Sequence, residues 1–136
     1  MQVHGSTIAI GECGLLILGP SGSGKSTLAL QLMAVGAGLV ADDRTDLTVT
    51  GDDIVASCPA SLKGMVEARG VGLLSAVPHE PVRLSLVVDL GSEGVARLPA
   101  FDQYHLLGKA LPLVTGPYRP HLYAALRQYL LSGRRH

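Results

Sequence analysis

Apolar and polar positions change period several times along the chain, and each change marks an element. "TIAI" (7–10) and "GLLILG" (14–19) are short apolar runs bounded by glycine and polar residues, so both predict strands, the second one buried. From Lys25 to Val35 the period becomes helical: Leu28, Leu32 and Val35 fall on one face, and Gly36 suits the C-terminal stop. "GLVADD" (38–43) predicts another buried strand, ending in two acids. "LTVTGDDIVAS" (47–57) alternates on either side of Gly51 and predicts a hairpin. "VRLSLVVDL" (82–90) is the third strong strand, ending at Asp89 and followed by the loop "GSEG" (91–94). "ALPLVTG" (110–116) predicts a weaker strand. "PHLYAALRQYLLSG" (120–133) predicts a closing helix, with Leu122, Leu126, Tyr129 and Leu130 on one stripe and Gly133 at its end. Strands alternating with a helix, then a hairpin, predict an α/β fold with a mixed sheet. Without a repeat, a low-complexity tract or a linker, 1–136 is expected to be a single domain.

Composition narrows the function classes. Hydrophobic residues are 47% and charged residues 16%, which excludes disorder and favours strands buried on both faces. A formal net charge of zero gives no global field to recruit nucleic acid or an anionic membrane. One Phe, four Tyr and no Trp make a base-stacking surface for single strands unexpected. No apolar run reaches the length of a membrane span, and "MQVHGSTIAIGE" lacks the basic region and apolar stretch of a signal peptide. Cys13 and Cys58 have no metal-like spacing and are expected to be small buried hydrophobes with reduced thiols, pointing to the cytoplasm.

The chemistry concentrates in "GPSGSGKST" (19–27), which matches G-x-x-x-x-G-K-[ST] through Gly19, Gly24, Lys25 and Ser26. Glycines let the backbone curl so that successive N–H groups form an anion nest, and the following helix adds its positive end. Gly19, Pro20, Ser21, Gly22, Ser23, Gly24, Lys25, Ser26 and Thr27 are therefore the expected nucleotide-binding stretch for ATP, with the P-loop proper at 19–26. Lys25 can reach the terminal phosphates, and Ser26 can ligate Mg²⁺. As an exposed loop lysine, Lys25 is expected to contribute little to the fold. A second Mg²⁺ ligand usually comes from an acid at the end of a neighbouring strand. Asp42–Asp43 and Asp89 both qualify, and pattern alone leaves the choice open. The chain contains no Asn, so the guanine-reading N-K-x-D element is excluded. A lid and an acceptor site of the adenylate-kinase kind have little room in 136 residues.

Four segments in order carry a family likeness: "VHG" (3–5), the loop at 19–27, "LVADDR" (39–44) and "VEARGVGLL" (66–74). Together they resemble the catalytic domain of the bacterial HPr kinase/phosphorylase, over roughly residues 1 to 120. The resemblance implies a fold related to that of phosphoenolpyruvate carboxykinase. It also implies ATP- and Mg²⁺-dependent phosphorylation of a serine on HPr, the phosphocarrier of the sugar phosphotransferase system. It resolves the choice of acid in favour of Asp42 and Asp43. By resemblance, Lys25 is the P-loop lysine, Ser26 and Glu67 are magnesium ligands, and Asp42 supports the metal or water. Asp43 takes the proton from the acceptor serine, His4 lies near the phosphates, and Arg69 with Gly70 belongs to the segment used in both directions of the reaction. The family's catalytic domains form hexamers, so a homo-oligomer is expected. Many members carry an extra N-terminal domain, and this chain starts at the catalytic part, like the short alphaproteobacterial forms. Taken without the resemblance, His4 reads as an ordinary exposed terminal histidine, and Glu67 with Arg69 as a solvated pair on a strand face. His79, His105, His121 and His136 have no ligand-like spacing and read as surface or structural.

The likeness breaks in the last third. The family's Tyr-x-Arg-Leu-Gly phrase stands here as "YHLLG" (104–108), with Leu106 at the arginine's place. Arg97 in "ARLP" (96–99) is the spatial substitute for that arginine, and the family's "PGRN" loop, which serves dephosphorylation, stands as "GPYRPH" (116–121), leaving Arg119 as the remnant. Three readings follow: a serine kinase acting on HPr or a related phosphocarrier, a kinase of the same fold with another acceptor, and a non-catalytic ATP-sensing module. The acidic pair argues against the third.

Overall fold

The computed structural model describes residues 1–91 and 102–135. Its strands are β1 (Gln2–Ile10), β2 (Cys13–Leu18), β3 (Gly38–Ala41), β4 (Arg44–Thr50), β5 (Asp53–Ser57), β6 (Met65–Ala68), β7 (Gly72–Ser75), β8 (Val82–Asp89), β9 (Asp102–Leu106) and β10 (Lys109–Thr115). The helices are α1 (Lys25–Ala34) and α2 (Leu122–Ser132). The main sheet is mixed, as expected: β8 runs parallel to both β2 and β10, and the other pairs are antiparallel.

Two long strands are shared. β1 pairs with β4 through Gln2–His4 and with β2 through Gly5–Ile10. β8 pairs with β5 at Val82 and Arg83, then with β2 up to Asp89. Because β2 and β8 are interior, successive side chains feed different cores. Leu15 and Ile17 join Leu28, Leu32, Leu86, Leu122 and Leu126 under the helices. Leu16 joins Val40, Leu47, Ile54 and Val87 on the opposite face. A register shift between Gly14 and Leu15 lets Leu84 and Leu86, two residues apart, serve opposite cores. The parallel pairing brings the C-terminal ends of β2, β8 and β10 to one edge, where the loops after β2 and β10 meet.

Several elements differ from expectation. β1 starts at Gln2 rather than Thr7, because its first residues pair with Arg44–Asp46, a partner that local pattern does not reveal. β3 stops at Ala41, before both acids, since Asp43 takes a left-handed conformation with φ 67° that ends the strand. Glu67 lies on the strand β6, as expected, but Arg69 falls in the turn before β7, and β9 is a strand that no local pattern marks. Cys13 and Cys58 are partly exposed rather than buried. Partial burial, with Asp46 and Asp42 nearby, raises the Cys58 thiol above its ordinary range, against the opposing pull of Lys63. Arg97, His136 and most of the "GSEG" loop lie outside the described residues. Among the described residues no helix is long and apolar enough to cross a membrane.

Candidate functional site: a phosphate-binding loop beside a buried aspartate

The loop joins β2 to α1 and is shaped by its glycines. Gly19, Gly22 and Gly24 have φ of 150°, 80° and 102°. A Cβ on Gly19 would stand 2.5 Å from Ser23 Oγ, so a side chain there would force the loop open. Gly24 caps α1 without a side-chain hydrogen bond, and the first turn contains no acid. The helix's N-terminal positive end thus faces the loop with no acid of its own first turn to offset it. Ser23 Oγ is buried and has no hydrogen-bond partner. An orphan donor of this kind within an anion nest fits a phosphate oxygen.

Lys25 corrects an expectation. It is 8% exposed, not an exposed loop lysine. Its ammonium donates to Gly19 O at 2.7 Å and Pro20 O at 3.1 Å, folding the side chain back along the loop. A strongly hydrated cation is tolerated there because those carbonyls replace its water.

Asp42 organises the neighbouring ground. It is 6% exposed and accepts three hydrogen bonds. Its Oδ1 receives Ser6 Oγ at 2.7 Å and Ser26 Oγ at 2.8 Å, and its Oδ2 receives Glu67 N at 2.9 Å. One buried carboxylate thus ties β1, the first turn of α1 and β6 together. Asp43 turns the other way, and its side chain is 58% exposed. Its Oδ1 lies 3.7 Å from His4 Nε2, and its Oδ2 lies 3.9 Å from Arg44 Nε. The Asp43 main chain is held by Gly5 N on its carbonyl at 2.9 Å and by Ser6 Oγ on its N–H at 3.3 Å.

The hairpin of β6 and β7 forms the opposite wall. Glu67 is on β6, exposed, and Arg69 is in the turn that follows. A Cβ on Gly22 would lie 4.0 Å from Arg69 Nη2. Ser21 to Thr27, Asp42, Asp43, Glu67 and Arg69 line one cleft of about 700 Å³, a size suited to a nucleotide. His4 meets it through Asp43. Asp89, the rival acid, does not line it; its Oδ1 accepts Gly91 N at 2.8 Å in a tight turn. Among the described residues no group of three or more His, Cys, Asp or Glu side chains could hold a metal ion. The set that Ser26, Asp42 and Glu67 offer instead suits Mg²⁺, which is commonly held by one or two carboxylates together with substrate phosphates and water.

Leu62, Met65 and Leu73 also line the cleft, and two further residues of the site, Ser6 and Tyr118, carry no signal of their own in a motif. Ser6 belongs to no phrase of the motif; the signal was its position two residues after His4 on the same strand face. Tyr118 lines the cleft from the loop after β10, where no local pattern marks it. Leu106, at the place of the family's arginine, is buried in the second core. Arg119 donates to Pro117 O at 3.0 Å and does not line the cleft.

Comparison with known proteins gives the family. The HPr kinase/phosphorylase of Cupriavidus metallidurans is 39% identical over 84% of this chain and 39% of its own length. That of an Azoarcus species is 36% identical over 86% of this chain and 42% of its own. The chain thus spans about two fifths of the length of the curated relatives it matches. Among solved structures, the Hpr(Ser) kinase/phosphatase from Coxiella burnetii superposes with a TM-score of 0.83, covering 96% of this chain and 91% of that one at 23% identity, a likeness of fold. The model of the HPr Serine kinase C-terminal domain matches residues 1–79, which hold the loop, the acidic pair and the "VEARG" hairpin but stop short of the altered last third. The chain belongs to the HPr serine kinase C-terminal domain family.

Proposed function

We propose that the chain is the catalytic domain of an HPr-type serine protein kinase, transferring the γ-phosphoryl group of ATP to a serine hydroxyl of HPr or a related phosphocarrier. The observation that carries this reading is Asp42, whose bonds to Ser26 and Glu67 join the phosphate loop to the hairpin wall while Asp43, facing His4 and Arg44, stands exposed at the cleft's mouth. The relation to phosphoenolpyruvate carboxykinase, a single catalytic domain over 1–136 and a cytoplasmic location belong to the same proposal.

The roles follow from charge and position. Backbone N–H groups of the loop, the end of α1 and Ser23 Oγ bind phosphate oxygens. Lys25 moves from Gly19 O and Pro20 O to the terminal phosphates. Ser26, Asp42 and Glu67 would hold Mg²⁺, which supplies neutralisation of charge on the phosphates when bound. Asp43 accepts the proton of the acceptor hydroxyl as its oxygen bonds to the γ-phosphorus and the bond from phosphorus to the bridging oxygen breaks, leaving ADP. His4 orients that carboxylate, and Arg69 stands where Gly22 presents the terminal phosphate.

Incubating the chain with labelled ATP and a phosphocarrier tests this reading. Label on a serine of the phosphocarrier is the expected result. Transfer only to another acceptor would favour a different kinase, and binding without turnover would favour an ATP sensor.

The reverse reaction, attack of inorganic phosphate on phosphoserine with release of pyrophosphate, is expected to be slow. It needs a further cationic cradle for phosphate. Leu106 is apolar and buried where the family's arginine would stand, and Arg119 is turned to Pro117 O. Loss of one such charge partner costs about 10²–10³-fold in rate. Pyrophosphate release from phosphorylated acceptor and millimolar phosphate should lag kinase turnover by that order. Fast release, insensitive to Arg97→Ala and Arg119→Ala, would show that another residue holds the phosphate.

Assembly into a homo-oligomer, a hexamer by resemblance, also belongs to the proposal. It is supported by Val71 and Val77, apolar residues that are 77% and 89% exposed on either side of β7. Light scattering at micromolar concentration should give a multiple of the 14.1 kDa chain mass, and a monomer would contradict it.

A further inference from the structure

Tyr118 stands where two unrelated constraints meet. It comes from the loop between β10 and α2, which the parallel pairing of β8 with β2 and β10 carries to the edge of the phosphate loop. Gly116 N bonds to Asp89 O at 3.2 Å, and Leu90 N bonds to Leu18 O at 2.8 Å, which pins both neighbouring loops to that edge. The Tyr118 ring lies against Gly24: a Cβ there would be 3.1 Å from its Cβ, Cγ and Cδ1. The ring is half-buried and is the one aromatic among the described residues that line the cleft.

The two ends of the phosphate nest are marked differently. Arg69 approaches at Gly22 from the hairpin of β6 and β7, whose Glu67 N bonds to Asp42 Oδ2. Tyr118 approaches at Gly24, from the β10–α2 loop. A triphosphate whose terminal group faces Arg69 at Gly22 sends its nucleoside out past Gly24, toward the tyrosine. There a fixed aromatic face, held by contact with a glycine that cannot push it away, offers a planar base a stacking partner.

We propose that Tyr118 is the stacking platform for the nucleotide's base and so sets the preference of this loop for a nucleoside triphosphate over inorganic polyphosphate. The proposal rests on the reading of 19–27 as a nucleotide-binding loop. It gives the altered "GPYRPH" loop, which lacks the arrangement expected for dephosphorylation, a role in the forward direction.

The test is calorimetric titration of the full chain with Mg-ATP and, separately, with Mg-tripolyphosphate, which carries the phosphates without a base. Tyr118→Phe should bind both as the parent does. Tyr118→Ala and Tyr118→Leu should bind ATP about tenfold more weakly, the size of one lost base–aromatic stack, and tripolyphosphate unchanged. Leucine keeps apolar bulk against Gly24 but has no aromatic face, so it separates stacking from bracing. Because the chain contains no Trp, Tyr118→Trp creates a sole indole whose fluorescence should be quenched by ATP and not by tripolyphosphate. Equal weakening of both ligands would overturn the proposal in favour of a ring that only braces the loop. Unchanged ATP affinity in Tyr118→Ala would overturn it outright. Failure of the parent chain to bind either ligand would instead remove the loop reading on which it rests, a different and separately visible outcome.

Discussion

Lys25→Ala is expected to lower phosphoryl transfer from Mg-ATP by about 10²–10³-fold, the cost of one charge partner aimed at the transferring group. The variant removes an ammonium that otherwise sits on Gly19 O and Pro20 O. Those two carbonyls lose a charged donor at a partly buried place. A stability loss of about 1–2 kcal/mol follows, with a fall in melting temperature of a few degrees. This is more than an exposed lysine would cost and far less than the loss of a core leucine. Turnover measured beside a thermal melt checks both parts. Unchanged turnover in a folded variant would sink the assignment of the loop. Lost turnover with a collapsed melt would mean that the lysine's structural bonds dominate.

The contrast between these two roles of Lys25 illustrates what the sequence made legible. The loop is legible because its chemistry is contiguous: glycines for the curl, lysine and serine for the phosphates, a strand before and a helix after. α1 and the β4–β5 hairpin are legible for the same reason, since period and turn residues are local properties. The burial of Lys25 is not local. It depends on how the loop folds back on the lysine's own ammonium. Ser6 is also hidden, because its meaning comes from an aspartate 36 residues away. The first residues of β1 and the whole of β9 carry no strand signal of their own, because only pairing with distant or weakly patterned strands makes them strands. Tyr118 carries no local signal, and only the parallel strand order brings its loop to Gly24. The rival acids show the reverse case. Asp89 ends a strand of the right kind, yet it spends its carboxylate on Gly91 N, while Asp42, past the end of a shorter strand, receives the loop serine.

That difference between the acids yields the second large effect. Asp43→Asn is expected to lower transfer by about 10²–10⁴-fold, the range for removing a positioned proton acceptor, while ATP binding stays within about twofold. The backbone should be undisturbed, because Asn adopts the left-handed conformation at φ 67° as readily as Asp. The exposed side chain makes only wide contacts to His4 and Arg44, so little stability is at stake. Glu67→Gln should behave differently: it keeps the acceptor chemistry and raises the Mg²⁺ concentration needed for half-maximal rate. Asp89→Asn should leave transfer within a few-fold, since its carboxylate serves a turn outside the cleft. Measuring kcat, ATP affinity and Mg²⁺ dependence for the three variants separates the roles. An inactive Asp89→Asn beside a fully active Asp43→Asn would move the chemistry to the end of β8. It would also show that the exposed acid at the cleft's mouth only solvates it.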